Sequence, residues 1–237
     1  MPTRTKKKSK QLAEPSISDH THEAYIGIRR MLFHKEVVSG QKIAYRDLAK
    51  RLGMSPTPVV HALKWLEFQG LVQHMPNRGY YIAPFSLEEV REIYDFRETI
   101  EVALLPETIK RLDDEGIKRL RAALEAHLSA ARETYLNERL LKDMEFHLTL
   151  ASLSKQHIHQ QTLRNLFDLL YLKYRGSDLS ARPMDTVDYE HKKIFEAVAS
   201  RDLQMAQNVL SQHLSDVKNK VLTRLERMIK DKEMYEF

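Results

Sequence analysis

The sequence predicts a mainly α-helical protein in which an N-terminal winged helix-turn-helix precedes a C-terminal all-helical bundle. Only seven of the 237 residues are glycine, which favours long helices with few tight turns. Apolar residues recur at helical spacing except in residues 71–83, where two short β-prone runs flank a Pro-Asn-Arg-Gly turn. We therefore expect a flexible basic arm over residues 1–18, a winged domain over 19–84 and a helical domain over 85–237.

Three helices and a hairpin are predicted for the winged domain. The first helix covers residues 21–34, and the second covers 45–52 and stops at Gly53. Ser55 is a suitable N-cap for the third helix, whose first position is Pro56 and whose end is Gly70. The predicted strands of the hairpin are residues 71–74 and 80–83.

Six helices are predicted for the second domain. Ser86 and Glu89 have the spacing of a capping box, in which each side chain bonds the other residue's backbone N–H. The predicted helices cover roughly residues 87–111, with a bend near Pro106, 114–133, 136–152, 157–175, 186–200 and 202–230.

Composition and charge exclude several classes of protein. The hydrophobic fraction of 42% is typical of a globular chain, and the lack of cysteine excludes disulfides, zinc thiolates and cysteine nucleophiles. No apolar run approaches the roughly 20 residues of a membrane span, and the N-terminus lacks the apolar stretch of a secretory signal. Five of the 38 Lys and Arg lie in the first ten residues, leaving 33 cations against 33 acids. We expect a cytoplasmic protein with an anionic partner at its front end.

The third predicted helix has the features of a DNA-recognition helix. Its polar residues lie away from the apolar stripe, so they can face the major groove, while Arg46 on the preceding helix can reach phosphates. Arg78 at the tip of the hairpin suits a wing that touches DNA. Taken singly, such residues are ordinary solvated side chains, but together they favour DNA binding. The predicted DNA-binding residues are Arg46, Ser55, Thr57, His61, Lys64, Arg78 and Gly79.

Residues 43–72 and 77–82 together resemble the GntR family of bacterial transcriptional regulators. The resemblance is long and ungapped, and it implies a homodimer that reads a pseudo-palindromic operator in double-stranded DNA. Pro56 and Val60 stand where the family pattern usually has operator-contacting arginines, so we expect either a different operator sequence or a greater reliance on DNA shape and phosphate contacts. The resemblance does not distinguish a repressor from an activator.

Four residues of the helical domain have the spacing of a metal site. Asp143 and His147 are four residues apart and share a helix face. His191 and His213 lie equally far from residue 202, where the last two helices meet, so an antiparallel pair brings them to the same height. One carboxylate and three imidazoles suit zinc, nickel or another divalent transition metal. Ordinary structural or exposed histidines are the alternative, and three others fit no such geometry: His127, His157 and His159.

The helical domain resembles the FCD ligand-binding domain of the FadR subfamily of GntR regulators. The matching motifs are Asp143-x-x-x-His147 with Phe146 before the histidine, then Glu190-His191, and finally His213-Leu214. This resemblance implies a divalent metal whose open positions take the carboxylate of a small organic acid. It also implies that Arg97 faces the effector cavity, although an ion pair between Arg97 and Glu101 on one helix face is an equal alternative.

We expect a transcriptional regulator that senses a small carboxylate through a bound metal. One alternative keeps DNA binding but makes the metal the signal itself, or a purely structural ion. A remoter alternative is a metal-dependent hydrolase with a nucleic-acid-binding head. An enzyme is not expected, because the sequence has no evident general base beside the metal ligands and no glycine-rich phosphate loop.

Overall fold

The computed structural model describes residues 19–34, 40–84, 86–130, 136–174 and 185–235. The predicted basic arm, residues 1–18, lies outside the described residues. No helix in the described part of the chain combines the length and apolar character needed to cross a membrane.

The N-terminal part has the predicted three helices and hairpin. Helices α1 (Asp19–His34), α2 (Tyr45–Leu52) and α3 (Pro56–Phe68) precede strands β2 (Val72–Met75) and β3 (Gly79–Ile82). An additional strand, β1 (Lys42–Ile43), pairs antiparallel with β3 and gives the order β1-β3-β2. Sequence analysis missed β1 because two residues are too few to show an alternating pattern. The winged helix-turn-helix predicted from sequence is confirmed.

The ends of α2 and α3 show how local sequence forms the helix-turn-helix. Gly53 has a φ of 64° and ends α2 in the left-handed region, as predicted. Ser55 occupies the N-cap of α3, but its side chain makes no capping hydrogen bond. Pro58, at the third helical position, has no N–H to donate to it. The Ser55 hydroxyl therefore remains exposed at the start of the recognition helix.

In the described residues, the C-terminal part forms the predicted bundle of six helices. These are α4 (Leu87–Arg111), α5 (Asp114–Ala130), α6 (Leu136–Leu153), α7 (His157–Tyr174), α8 (Asp185–Ala199) and α9 (Leu203–Tyr235). Helix α4 continues unbroken through Pro106, and Ser86 caps it by accepting a hydrogen bond from the Glu89 N–H at 3.0 Å. Helix α4 packs against α6, α7 and α9, while α5 packs against α6 and α8.

A tight turn between α8 and α9 sets the height of two predicted metal ligands. Arg201 adopts a φ of 60° in this turn, and the Asp202 carboxylate accepts the Met205 N–H at 2.9 Å to begin α9. Because the two helices pack against each other from this turn, His191 and His213 come together, with ring centroids 4.6 Å apart. The equal distance of both residues from the turn had predicted this pairing.

Substitution of Gly53 tests the left-handed turn without a steric complication. A Cβ atom at this position would meet no atom within 4 Å, so only the backbone conformation opposes a side chain. We expect Gly53→Val to lower the free energy of unfolding by about 1–2 kcal/mol. Gly53→Asn should cost less, because asparagine tolerates this conformation. Urea denaturation followed by circular dichroism measures both, and equal effects of the two variants would contradict the assignment.

Candidate metal centre, effector site and DNA-binding surface

The structure brings all four predicted metal-binding residues together in the bundle core. Asp143 and His147 project from α6, His191 from α8 and His213 from α9. One ligand atom from each residue lies within 4.8 Å of the others, and all three histidines are buried. The ring of His147 lies 5.2 Å from that of His191 and 5.3 Å from that of His213, between centroids.

Each of the three imidazoles is held by an acceptor on its outer side. The Nδ1 atom of His147 lies 2.5 Å from Glu101 Oε2, and that of His213 lies 2.8 Å from Glu190 Oε2. The Nδ1 atom of His191 lies 2.8 Å from the Val187 carbonyl oxygen. Because a carbonyl and an ionised carboxylate can only accept, each Nδ1 carries the proton and donates it. In the neutral form of each ring, the Nε2 lone pair then faces the centre of the cluster.

Two of these lone pairs face the carboxylate of Asp143. The Nε2 atom of His191 lies 3.1 Å from Asp143 Oδ1, and that of His147 lies 4.0 Å from it. Among the described residues, neither Nε2 atom has a hydrogen-bond partner. Lone pairs that converge in a buried site repel one another unless a cation lies between them. The donor set thus fits a divalent metal ion.

Electrostatics keep the cluster in the protonation state that binds a metal. Burial would raise the pKa of Asp143, but the neighbouring imidazoles of His191, His147 and His127 lower it well below its usual value. Burial lowers the pKa of His213 to about 4, against the opposing effect of Glu190. Near neutral pH the carboxylate is therefore ionised and His213 is neutral, which is the form that coordinates metals.

A buried ion pair adjoins the metal cluster. Arg97 Nε donates to Glu101 Oε1 at 2.9 Å, and both side chains are about 2% exposed. Burial raises the pKa of Glu101, but His147 and Arg97 together hold it at about 2. Glu101 therefore bridges Arg97 and His147. The predicted ion pair is present, but it does not exclude a ligand, because the Arg97 Nη2 atom is buried and has no hydrogen-bond partner in the described structure.

Sequence analysis missed the part played by His127. This residue of α5 is fully buried and stacks on His191, with centroids 4.1 Å apart and the rings 26° from parallel. Burial and the neighbouring His191 lower the pKa of His127 to about 3, so it remains neutral. His157 and His159 are exposed near the start of α7. No sequence spacing relates α5 to α8, so only the packing of the bundle could reveal this contact.

Six of the seven predicted DNA-binding residues are exposed on the winged domain, and Gly79 is half-buried. Ser55, Thr57 and His61 line one groove, which His20 and Thr21 of α1 complete. Lys64 is exposed on the same helix, and Arg46 is exposed on α2. Sequence analysis missed His20, because its position beside α3 depends on how α1 packs.

The wing also has the expected form. Arg78 is exposed in the turn between β2 and β3, and Gly79 has a φ of 99°, a conformation that favours glycine. Asn77 adopts a φ of 63° in the same turn. The turn thus projects a cation at the tip of the hairpin.

A winged helix-turn-helix joined to a helical domain with a buried ligand cluster defines a class of effector-controlled DNA-binding regulators. The model for bacterial regulatory proteins of the gntR family matches residues 21–82, and the FCD domain model matches residues 92–216. The chain therefore belongs to the GntR family and carries an FCD domain. This family consists of transcriptional regulators, so the chain is a DNA-binding regulator and not a hydrolase.

Two related regulators and one solved structure each match most of this chain. The chain is 26% identical over 196 residues to the uncharacterized HTH-type transcriptional regulator YdhC of Bacillus subtilis, covering 81% of this chain and 86% of that protein. It is 24% identical over 200 residues to the HTH-type transcriptional repressor RspR of Escherichia coli, covering 84% and 87%. The solved structure of E. coli McbR/YncC matches with a TM-score of 0.77 at 17% identity, over 87% of this chain and 98% of that one. This structural match shows the shared fold.

Substitution of Glu190 tests whether the acceptors bonded to the Nδ1 atoms orient the histidines for metal binding. Glu190→Gln removes the charge that orients His213, so we expect Zn²⁺ affinity to fall by about 10- to 100-fold while the fold is retained. Competition with a chromophoric chelator measures this affinity. The matched control is Glu196→Gln, since Glu196 is exposed on the same helix, and it should leave Zn²⁺ affinity unchanged. Equal affinities of the two variants would contradict the anchoring role.

Proposed function

We propose that this protein is a homodimeric repressor that senses a small organic acid through a divalent metal in its FCD domain. The observation that carries the proposal is the convergence of three buried imidazoles and one carboxylate beside a buried arginine, one nitrogen of which has no hydrogen-bond partner among the described residues. It acts in the cytoplasm, where bacterial DNA lies. Its two recognition helices read the halves of a pseudo-palindromic operator.

The donor set supports a transition metal over calcium or magnesium. Those hard cations prefer oxygen ligands, whereas three imidazole nitrogens and one carboxylate suit zinc or nickel. The residues that would hold the ion are Asp143, His147, His191 and His213. A metal with more than four coordination positions retains sites for a ligand oxygen, and it would supply positive charge to attract a carboxylate.

Arg97 supports a carboxylate as the effector. Its guanidinium lies over the Phe167 ring at 4.1 Å and over the Tyr94 ring at 5.1 Å. Glu101 takes the Nε edge, while Nη2 remains to donate to a ligand. A buried donor without a partner costs about 1–3 kcal/mol, so a ligand oxygen at Nη2 would recover that cost. The guanidinium and the metal would then bind opposite ends of one small anion.

Repression is proposed from the relatives. RspR of E. coli is named as a transcriptional repressor, and it matches this chain over both parts. Effector binding in the FCD domain would change the relative placement of the two heads of the dimer and so the affinity for the operator.

Arg97→Ala distinguishes a carboxylate sensor from a metal sensor. The zinc-loaded protein is titrated calorimetrically with a panel of small mono- and dicarboxylates. The wild type should bind at least one of them, and Arg97→Ala should lose at least tenfold in affinity while Zn²⁺ affinity remains within about threefold, since the ion pair is not a metal ligand. Binding of no carboxylate, with Zn²⁺ alone altering DNA binding, would instead establish the metal as the signal.

DNA binding is tested by selecting bound fragments from random duplexes with the full-length protein. The selected sequence should be pseudo-palindromic and should bind about 10³-fold or more tightly than scrambled DNA at physiological salt. Arg78→Ala and Lys64→Ala should each weaken binding to both kinds of duplex, because at least part of each contact is to phosphate. Asp113→Asn, in the distant helical domain, is the control. Equal affinity for selected and scrambled duplexes would overturn the operator proposal.

A further inference from the structure

Helix α7 contacts the winged domain, called the DNA-binding head, through a partly buried ion pair in which the Arg29 side chain is 25% exposed. Arg29 of α1 donates to Asp168 of α7 from Nε at 2.8 Å and from Nη2 at 2.6 Å, so the guanidinium binds both carboxylate oxygens. Asp168 is only 2% exposed. Bidentate pairing fixes the orientation of both side chains as well as their distance. This contact joins residues that are 139 positions apart in the chain.

One turn further along, an aromatic pair joins the same two helices. The rings of Phe33 and Tyr171 stack with centroids 4.7 Å apart and planes within 3° of parallel. The Tyr171 hydroxyl donates to the Phe33 carbonyl oxygen at 3.0 Å, and the Arg29 guanidinium lies 4.8 Å from the Phe33 ring. These four residues, Arg29, Phe33, Asp168 and Tyr171, are called the latch below.

The residue next to the latch on α7 contacts the residues of the proposed metal and effector site. Phe167 precedes Asp168 and lies 4.1 Å from the Arg97 guanidinium and 5.9 Å, between centroids, from the His147 ring. It is buried in an apolar cluster that continues into the core of the head, where Ile28 and Leu66 lie. The hydrogen bonds of a helix keep neighbouring turns together, so a shift of Phe167 also moves the two latch residues on α7, Asp168 and Tyr171.

In the latch, the attraction between Arg29 and Asp168 is opposed by the cost of burying the Asp168 carboxylate. Burial raises the pKa of Asp168, and Arg29 offsets that effect only in part. A partly buried ion pair of this kind contributes little net stability, because the desolvation of Asp168 opposes its attraction to Arg29. Separating the two would leave the Asp168 carboxylate buried without its partner, which is costly, so a shift of α7 either carries Arg29 with it or exposes Asp168 to water.

We propose that α7 transmits occupancy of the metal and effector site to the DNA-binding head through the latch. The route runs from His147 through Glu101 and Arg97 to Phe167, and then along α7 to Arg29 and Phe33. While the latch is engaged, the head holds a fixed orientation relative to the helical domain. A change at the site shifts α7 and alters that orientation. This inference rests on the proposed metal site.

The fluorescence of Trp65 can be used to follow the unfolding of the head. Trp65 is the only tryptophan, and it lies half-exposed on α3, so its fluorescence follows the head during thermal unfolding. Circular dichroism follows the whole helical protein, most of which is the bundle. The probe is Zn²⁺ alone, compared with protein treated with a chelator.

In the wild type, Zn²⁺ should raise the unfolding midpoint seen by both signals by a similar amount, because the latch couples head and bundle. In Asp168→Asn, Zn²⁺ should still raise the circular dichroism midpoint, whereas the shift of the Trp65 midpoint should fall to less than half. Arg29→Lys should behave in the same way, because lysine keeps the charge but cannot bind both oxygens. Phe167→Leu should also reduce the Trp65 shift.

The control is Asp95→Asn, which removes the ion pair with Lys218 between α4 and α9 and should leave both Zn²⁺ shifts as in the wild type. Full Trp65 shifts in Asp168→Asn and Arg29→Lys would overturn the latch, and a full shift in Phe167→Leu would overturn the route through α7. Absence of any Zn²⁺ shift in the wild type would instead overturn the proposed metal site on which the inference rests.

Discussion

The arrangement of the effector domain depends on three hydrogen bonds that fix the tautomers of buried histidines. Each Nδ1–H is held by an acceptor on the outer side of the cluster, two of them carboxylates and one a backbone carbonyl. Without these acceptors the rings could rotate or exchange tautomers, and the inner lone pairs would not converge. Burial of three imidazoles and a carboxylate is costly by itself, so the cluster is consistent with selection for ligand binding over stability.

Glu101 links the two halves of this site. One of its oxygens accepts from His147 and the other from Arg97, so a single carboxylate anchors an imidazole of the four-residue cluster and neutralises the guanidinium. The same arginine stacks on Phe167 of α7, which also carries the contacts to the head. The four-residue cluster, the buried ion pair and the contact with the head are thus joined through adjacent side chains.

The fold and the convergence of Asp143, His147, His191 and His213 were largely predictable from sequence, for identifiable reasons. Helix ends were marked by local signals such as Gly53 and the Ser86 cap, and the heights of His191 and His213 followed from their equal distance to the α8–α9 turn. The strand β1 was missed because it is too short, and Ser55 occupies the predicted N-cap of α3 although its side chain makes no capping hydrogen bond. Stacking of His127 on His191 had no sequence signal, since it joins distant helices.

The sequence alone determined the family, the winged head, the helical bundle and the four residues that meet at its centre, because periodicity, caps and motif spacing are local properties. Tertiary structure alone decided which acceptors hold the imidazoles, that Arg97 retains an unpartnered nitrogen, and that Arg29 meets Asp168 across 139 positions. These features depend on how helices pack against one another. Packing is set by the summed burial of many side chains, which no short segment of sequence contains.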